Sequence, residues 1–466
     1  MDWIQQWQSK LNKQNGVAPL VRTGGSRHTG LAALPYRNIQ LEGYYQIMGF
    51  LNGVKEVFSI GSTLDRMNQG IDGVVNYKSC SVENFFESQY GTINTIVSGG
   101  SDDIRFKVLR AHIAIAINDG FPVIVLHQGN PYIGSRLRNE FGGVVETNIV
   151  DIGSACYDPF YDLDGGAISE LVMGAAPKSF DIKHNAKYYI EGVVELLKKS
   201  KKKPYFNLLA TCPHTTLFDK IDDLVGKNQI SDSDGQEIKS KLMIGQSESV
   251  KIESYFYTLQ TQIQPFLYRT KSREKPVNVR KNISNKELLV INIGNIANEL
   301  YVNVLIEELK RAIAYGSSAA VVLDSISIVG NDKLKELIMG LSGQVRFTVI
   351  GDDVVALSGS DEQLFTTLVG RAKKIVVLSH NAGTSAVKWS QVFGEHDKQE
   401  QSYSVSKGGS YNSPIPFMAS PNYNKQVNYN WKREYIVKPE KIMNLGYGEA
   451  FVYSGDINEL AHVTFR

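Results

Sequence analysis

The sequence predicts an α/β protein, a doubly wound and mainly parallel sheet with a helical domain inserted into it. Three observations lead there. Short apolar runs rich in valine and isoleucine recur at 92–97, 122–127, 288–293, 319–324, 346–350 and 374–378. They are continuous rather than alternating, the mark of strands buried on both faces. Between them lie segments of helical spacing. The stretch 105–118 places Val108, Leu109, Ile113, Ala116 and Ile117 on one side, and 298–315 does the same with Leu305, Ile306, Leu309 and Ile313. Such alternation favours a parallel sheet covered by helices on both faces. The stretch 181–285 has no convincing buried strand and reads as the helical insertion.

The order of elements follows from local signals. Residues 4–11 suit a short amphipathic helix, and 24–28 a loop in which Arg22, Arg27 and His28 form a solvated basic patch. The segment 44–58 reads as helix then strand, and 82–86 as a further short element. After the strand at 92–97 comes the tight loop Ser98-Gly99-Gly100-Ser101-Asp102-Asp103, then the helix 105–118, closed by Gly120. With the strand 122–127 this is a βαβ unit with a right-handed crossover. Asp102 and Asp103 read as caps for a helix starting at Ile104, where the helix dipole favours negative charge. A strand at 146–152 and an ordered loop at 156–160 follow. Helices are expected at 184–199, 219–225, 231–243 and 247–256, with Ser231 among the N-cap candidates. Helix and strand then alternate through 395. The Ser-, Tyr-, Gly- and Asn-rich segment 396–430 reads as a long surface loop. A terminal strand pair is expected at 435–437 and 450–453, with a short helix at 438–443 between them.

With 466 residues, two to three domains are expected. The divisions are an N-terminal region 1–90, a first part of the α/β domain 91–180, the insertion 181–285, and a second part of the α/β domain 286–466. Hydrophobic content of 42% and charged content of 21% are those of a soluble globular chain with a sizeable core. A formal net charge of +2 argues against a nucleic-acid binder driven by bulk charge and leaves local patches open. The cysteines Cys80, Cys156 and Cys212 lack metal-ligand spacing, so each reads as a small buried apolar residue in a reducing compartment. No run approaches the roughly 20 apolar residues of a membrane span, and residues 1–6 lack the apolar core of a signal peptide. A cytoplasmic protein is expected.

The run Ala319-Ala320-Val321-Val322-Leu323 ends in Asp324. Open α/β sheets bind ligands at the carboxyl ends of their strands, and nucleotide hydrolases place there the Asp that supports Mg²⁺. Asp352 and Asp353 beside Asp324 allow a metal reading through hard oxygen ligands, or a simpler one in which one of the pair caps the helix from Val354 and the other is solvated. The histidines show no pair spacing typical of zinc. The basic run Lys198–Lys203 suits DNA phosphates or, more simply, a solvated helix end.

The order of parts resembles the coupling ATPases of type IV secretion and conjugation, within the FtsK–HerA superfamily of P-loop motors. The resemblance rests on Phe121-Pro122-Val123-Ile124-Val125-Leu126-His127-Gln128-Gly129, on Asp158-Pro159-Phe160, on the helical stretch near 181–285, on Val321-Val322-Leu323-Asp324 as a Walker B strand, on the strand at 346–350, and on Arg433 to Ile442. It implies a P-loop NTPase type of sheet, an oligomer with protein partners, possible contact with DNA, and a site for ATP and Mg²⁺. The motifs for the last of these depart from the family. The loop of Gly99, Gly100, Ser101, Asp102 and Asp103 carries no Gly-Lys-Ser/Thr, leaving Arg105 or Lys107 as its only cations. Ser325 follows Asp324 where the family has a Glu, and Gly351-Asp352-Asp353 stands where it has a sensor Gln. Arg371 lies where a ring motor could place a trans-acting Arg, or in a basic turn before the strand at 374. The expectation is a pseudo-ATPase, a non-hydrolysing scaffold or partner subunit of a DNA-transfer or secretion complex, without a cofactor. The alternative is an ATP-dependent DNA translocase using Arg105 or Lys107 with Asp324 as metal ligand.

Overall fold

The computed structural model describes residues 76–80, 93–128, 130–269, 275–294, 299–314, 318–328, 331–340, 344–359, 361–408, 422–455 and 459–465, all within one unit, Glu56–Arg466. The expectations for 4–58 and 82–86 lie outside the described residues.

A strand β1 (Asn76–Cys80) precedes the first apolar run, β2 (Thr95–Ser98), whose four residues are all buried. Helix α1 (Asp102–Asn118) and β3 (Val123–His127) complete the βαβ unit, with β3 pairing parallel to its neighbours. Helix α1 is buried on most of its circumference, taking in Ile104, Val108, Leu109, Ile113 and Ala116. Helix α2 (Ile133–Phe141) and β4 (Thr147–Val150) follow.

Then come α3 (Gly165–Ala175), α4 (Ala186–Lys199), α5 (Phe206–Ala210), α6 (Leu217–Gly226), α7 (Asp232–Gly245), α8 (Ser249–Ile263) and α9 (Val279–Asn285). The Ser231 hydroxyl accepts from the Asp234 N–H and caps α7. At the end of α4, Lys199 pairs with Asp234 at 3.0 Å.

Alternation resumes with β5 (Leu288–Asn292), α10 (Glu299–Ala314), β6 (Ala319–Asp324), α11 (Asp332–Gly340), β7 (Val345–Gly351), α12 (Val354–Ser358), α13 (Glu362–Arg371), β8 (Lys374–Val377) and α14 (Gly383–Phe393). Leu305, Ile306, Leu309 and Ile313 of α10 are buried, as their spacing requires. Two long strands, β9 (Glu395–Gly408) and β10 (Asn422–Tyr435), precede α15 (Pro439–Met443), β11 (Glu449–Ser454) and β12 (Glu459–Phe465).

Among the described residues, ten strands form one sheet in the order β1-β12-β11-β8-β2-β7-β6-β3-β5-β4. Of these, only β11 runs antiparallel to its neighbours, β8 and β12; the other pairings are parallel. The fold is therefore the expected α/β sheet, mainly parallel. One strand, β7, separates the strand that enters the glycine loop from the strand that ends at Asp324.

Two expectations fail near the C-terminus. The segment 396–430 is not a loop where it is described, since β9 and β10 pair antiparallel from Glu395↔Tyr435 to Gly408↔Asn422. Ser, Asn and Gln suggest a loop by composition, and the period-2 alternation beneath them decides otherwise. The expected strand pair at 435–437 and 450–453 does not form. Tyr435 ends β10, and Phe451 pairs with Val377 and His462 instead.

The loop after β4 is tied to α10 inside the core. The Tyr157 hydroxyl donates to Glu308 Oε2 at 2.8 Å with both residues buried, and burial holds the Glu308 carboxyl well above the usual carboxylate range. Tyr157→Phe removes that donor from a carboxyl with no water to turn to. The expected loss is about 1–3 kcal/mol of unfolding free energy, read by urea denaturation. An unchanged midpoint would mean the bond contributes nothing net.

Among the described residues, no helix is long and apolar enough to cross a membrane.

Candidate functional site

The carboxyl ends of β2, β7, β6 and β3 meet on one edge of the sheet. Just past these ends, Asp102 and Arg105 after the loop 98–101, Asp352, Asp324 with Ser325, and Gln128 line a cleft of about 320 Å³. Its polar lining is Asp102, Arg105, Gln128, Asn130, Asp324, Ser325 and Asp352, and Phe106, Leu109, Ile133 and Ile350 supply apolar walls.

The glycine loop is held by its neighbours. Gly99 has φ +93° and Gly100 φ +71°, which glycine adopts without strain. A Cβ at Gly99 would lie 2.6 Å from the Ser379 carbonyl oxygen, and one at Gly100 2.8 Å from the Leu378 side chain. The Gly99 N–H donates to the Gly351 carbonyl at 3.0 Å and the Gly100 N–H to the Ser379 carbonyl at 2.9 Å. Both groups are committed to adjoining strand ends.

Arg105 closes the inside of this loop. It is buried, and its guanidinium donates through Nη1 to the Gly99 carbonyl at 3.2 Å and to the Gly100 carbonyl, and through Nη2 to Asp102. The loop thus presents carbonyl oxygens to a cation. A phosphate-binding loop presents N–H groups to an anion.

Asp102 and Asp103 are not caps. The helix begins at Asp102 with Ser101 in the N-cap position, and no side chain caps it there. Both carboxylates sit in the first turn, where the dipole still favours them. Asp103 turns outward to Arg136 at 3.3 Å and to the Tyr447 hydroxyl at 3.0 Å. Lys107 lies 4.0 Å from Asp103 and is not among the residues lining the cleft.

Asp324 is buried on the cleft wall. Desolvation raises its pKa to about 6, against the Ser325 hydroxyl bond at 3.1 Å and the Arg105 charge, which lower it, while Asp102 adds to the rise. Ser325 has φ +57°, and its N–H donates to the Ile350 carbonyl at 2.7 Å. Beside Asp324 on β3, His127 is fully buried, and burial lowers its pKa to about 4, so it is neutral near pH 7.

Asp353 caps α12 by accepting from the Val355 and Ala356 N–H groups, and it accepts from the Ser385 hydroxyl at 2.5 Å. Asp352 is exposed. Among the described residues, no group of three His, Cys, Asp or Glu side chains converges as a metal site. Arg371 lies at the other end of the strands, before β8, and donates to the carbonyls of Ile338 at 2.5 Å and of Met339 at the end of α11.

The structure therefore brings Gly99, Gly100, Asp102, Arg105 and Asp324 together and leaves Arg371, Lys107 and Asp103 elsewhere. Sequence reasoning misses Gln128 and Asn130 as site residues. Their only signal is position, just past a buried strand.

Neither a family model nor a curated protein matches the chain. Solved structures do. The bacterial conjugative coupling protein TrwBdeltaN70, in an unbound form, is 14% identical over 83% of this chain and 90% of that one, with a TM-score of 0.46. The plasmid coupling protein TrwB in complex with a non-hydrolysable GTP analogue is 12% identical over 83% and 91%, at 0.47. VirB4 of Thermoanaerobacter pseudethanolicus is 10% identical over 80% and 89%, at 0.41. At these identities the chain is similar to them in overall fold, and the likeness says nothing of individual residues.

Proposed function

We propose that this chain is a coupling-ATPase-like subunit that neither binds nor hydrolyses nucleotide, and that it acts as a scaffold or partner in a DNA-transfer, secretion or related complex. The observation that carries this reading is the Arg105 guanidinium lodged inside the glycine loop on the Gly99 and Gly100 carbonyls. A triphosphate needs N–H groups and a lysine at that place. Here two N–H groups are bonded elsewhere and no lysine lines the cleft. Three aspartates, Asp102, Asp324 and Asp352, line the same cleft, and like charges around a triphosphate raise its free energy, more so where water is excluded. The residues do not fit Mg²⁺–ATP.

The alternative, an ATP-dependent translocase using Arg105 with Asp324, is favoured by one observation: the cleft lies between those two residues. Equilibrium dialysis with Mg²⁺–ATP to millimolar concentration, together with a phosphate-release assay with and without single-stranded DNA, separates the two. The expected result is no saturable binding and no release. Saturable binding or turnover abolished by Asp324→Ala would overturn the scaffold reading.

A further inference from the structure

A cleft that rejects a triphosphate still has a chemistry of its own, and here it is that of a cation receptor. Asp102, Asp324 and Asp352 line it against one guanidinium, Arg105. Asp102 and Arg105 pair with each other. The lining is therefore left two charges negative, on Asp324 and Asp352, and among the described residues neither has an ion-pair partner. The neighbouring loop already holds one cation, the Arg105 guanidinium on the Gly99 and Gly100 carbonyls.

Asp324 carries the strongest demand. It is only 8% exposed. Its Oδ1 accepts from the Ser325 hydroxyl at 3.1 Å, and among the described residues no group donates to its Oδ2. A carboxylate oxygen kept from bulk water without a donor is costly, and a donor bound in the cleft would relieve it. The size of the cleft says what kind of donor. About 320 Å³ lies at the lower end of the roughly 300–1,000 Å³ of small-molecule sites. A bare ion would leave most of that space unused, along with the apolar walls of Phe106, Leu109, Ile133 and Ile350. The two charges also sit on neighbouring strand ends, Asp324 closing β6 and Asp352 just past β7, and among the described residues no three ligating groups converge on one point.

We propose that the cleft binds a short organic diammonium of the linear polyamine class, with one ammonium on Asp324, the other on Asp352, and the methylene chain against Phe106, Leu109, Ile133 and Ile350. This rests on the reading that the chain binds no nucleotide. Each carboxylate has one oxygen already engaged, by the Ser325 hydroxyl at Asp324 and by the Asp353 N–H at Asp352. That suits the single contacts of an ammonium better than the two-pronged fork of a guanidinium. Two positive ends match two separated negative charges, and the stem between them buries apolar surface.

The test is isothermal titration calorimetry of the full chain with 1,4-diaminobutane at pH 8, where Asp324, which titrates at about 6, is ionised. One saturable site per chain is expected. Asp324→Asn should weaken binding about tenfold or more, as loss of a buried charged hydrogen bond does. Asp352 is exposed, so Asp352→Asn leaves the core intact and should weaken binding about threefold. Butylamine, with the same stem and one charge, should bind about threefold more weakly than the diamine and be indifferent to Asp352→Asn. Asp223→Asn, at an exposed acid of α6 paired with Lys227, should change nothing. No saturable binding, equal affinity for butylamine, or indifference to both aspartate variants would overturn the proposal. So would Mg²⁺ binding at the same two aspartates more tightly than the diamine. Mg²⁺–ATP in the same calorimeter separates the two levels of failure. If neither it nor the diamine binds, only the diamine proposal falls, whereas Mg²⁺–ATP binding abolished by Asp324→Ala would remove the nucleotide-free reading as well.

Discussion

Asp158→Ala is expected to lower the unfolding free energy by roughly 3–5 kcal/mol, a large part of the stability of an ordinary domain. Asp158 is fully buried in the loop after β4. Its carboxylate accepts from the Phe160 N–H at 2.9 Å and from the Phe206 N–H at 3.1 Å, so one side chain ties that loop to the start of α5. Phe160 and Phe206 then pack ring against ring at a tilt, and both meet Phe256 of α8 edge to face. Alanine strands two N–H groups where water cannot reach them and leaves a void beside the aromatic cluster. Asp158→Asn keeps an acceptor and should lose far less.

The same residue carries a pH signature. Desolvation raises its pKa from 3.8 to about 7 although the Phe160, Phe206 and Tyr161 backbone bonds oppose it. The folded chain thus holds this proton over a range in which the unfolded chain has released it. Stability from this site is fully present below pH ~4 and is lost as pH rises through about 7. Asp158→Asn should remove this dependence. Urea denaturation between pH 4 and 8 measures both effects, and a wild type whose stability rises from pH 6 to 8 would contradict the assignment.

Asp324→Asn is expected to act in the opposite direction, stabilising the fold by up to about 3 kcal/mol at pH 8. A rise from 3.8 to about 6 corresponds to that free energy between the two protonation states. The cost arises from burying a charge that the Ser325 hydroxyl and Arg105 only partly compensate. The sign again follows from the raised folded value: the gain should vanish below pH ~4, where the wild-type carboxyl is protonated in both states, and appear as pH passes through about 6. Melting curves at pH 4 and pH 8, with and without Mg²⁺, read it. A destabilised variant at pH 8 would mean the fold depends on the ionised carboxylate. A gain that reverses in Mg²⁺ would identify Asp324 as a metal ligand and favour the hydrolase reading.

Much of the architecture was legible because burial on two faces leaves a mark in the chain. The continuous apolar runs at β2, β3, β5 and β6 could hardly be anything else, and the 3.6-residue spacing in α10 names its inward residues in advance. The glycine pair and Asp324 were likewise visible as residues that belong together in this kind of sheet. Composition misled at 396–430, where serine and asparagine are common in loops and are no bar to the backbone pairing of β9 with β10. Alternation was the better signal there.

Direction was not legible. The sequence by itself determined the α/β class and placed a cation, Arg105, a few residues after the glycines. Only the tertiary structure decided which way the Gly99 and Gly100 N–H groups point, because their acceptors, the carbonyls of Gly351 and Ser379, come from elements more than two hundred residues away. The same long-range pairing turns Arg105 onto the loop's own carbonyls and sends Arg371 to the far end of the strands. Residue type sets what a group can bond to, and distant backbone sets what is left for it to bond.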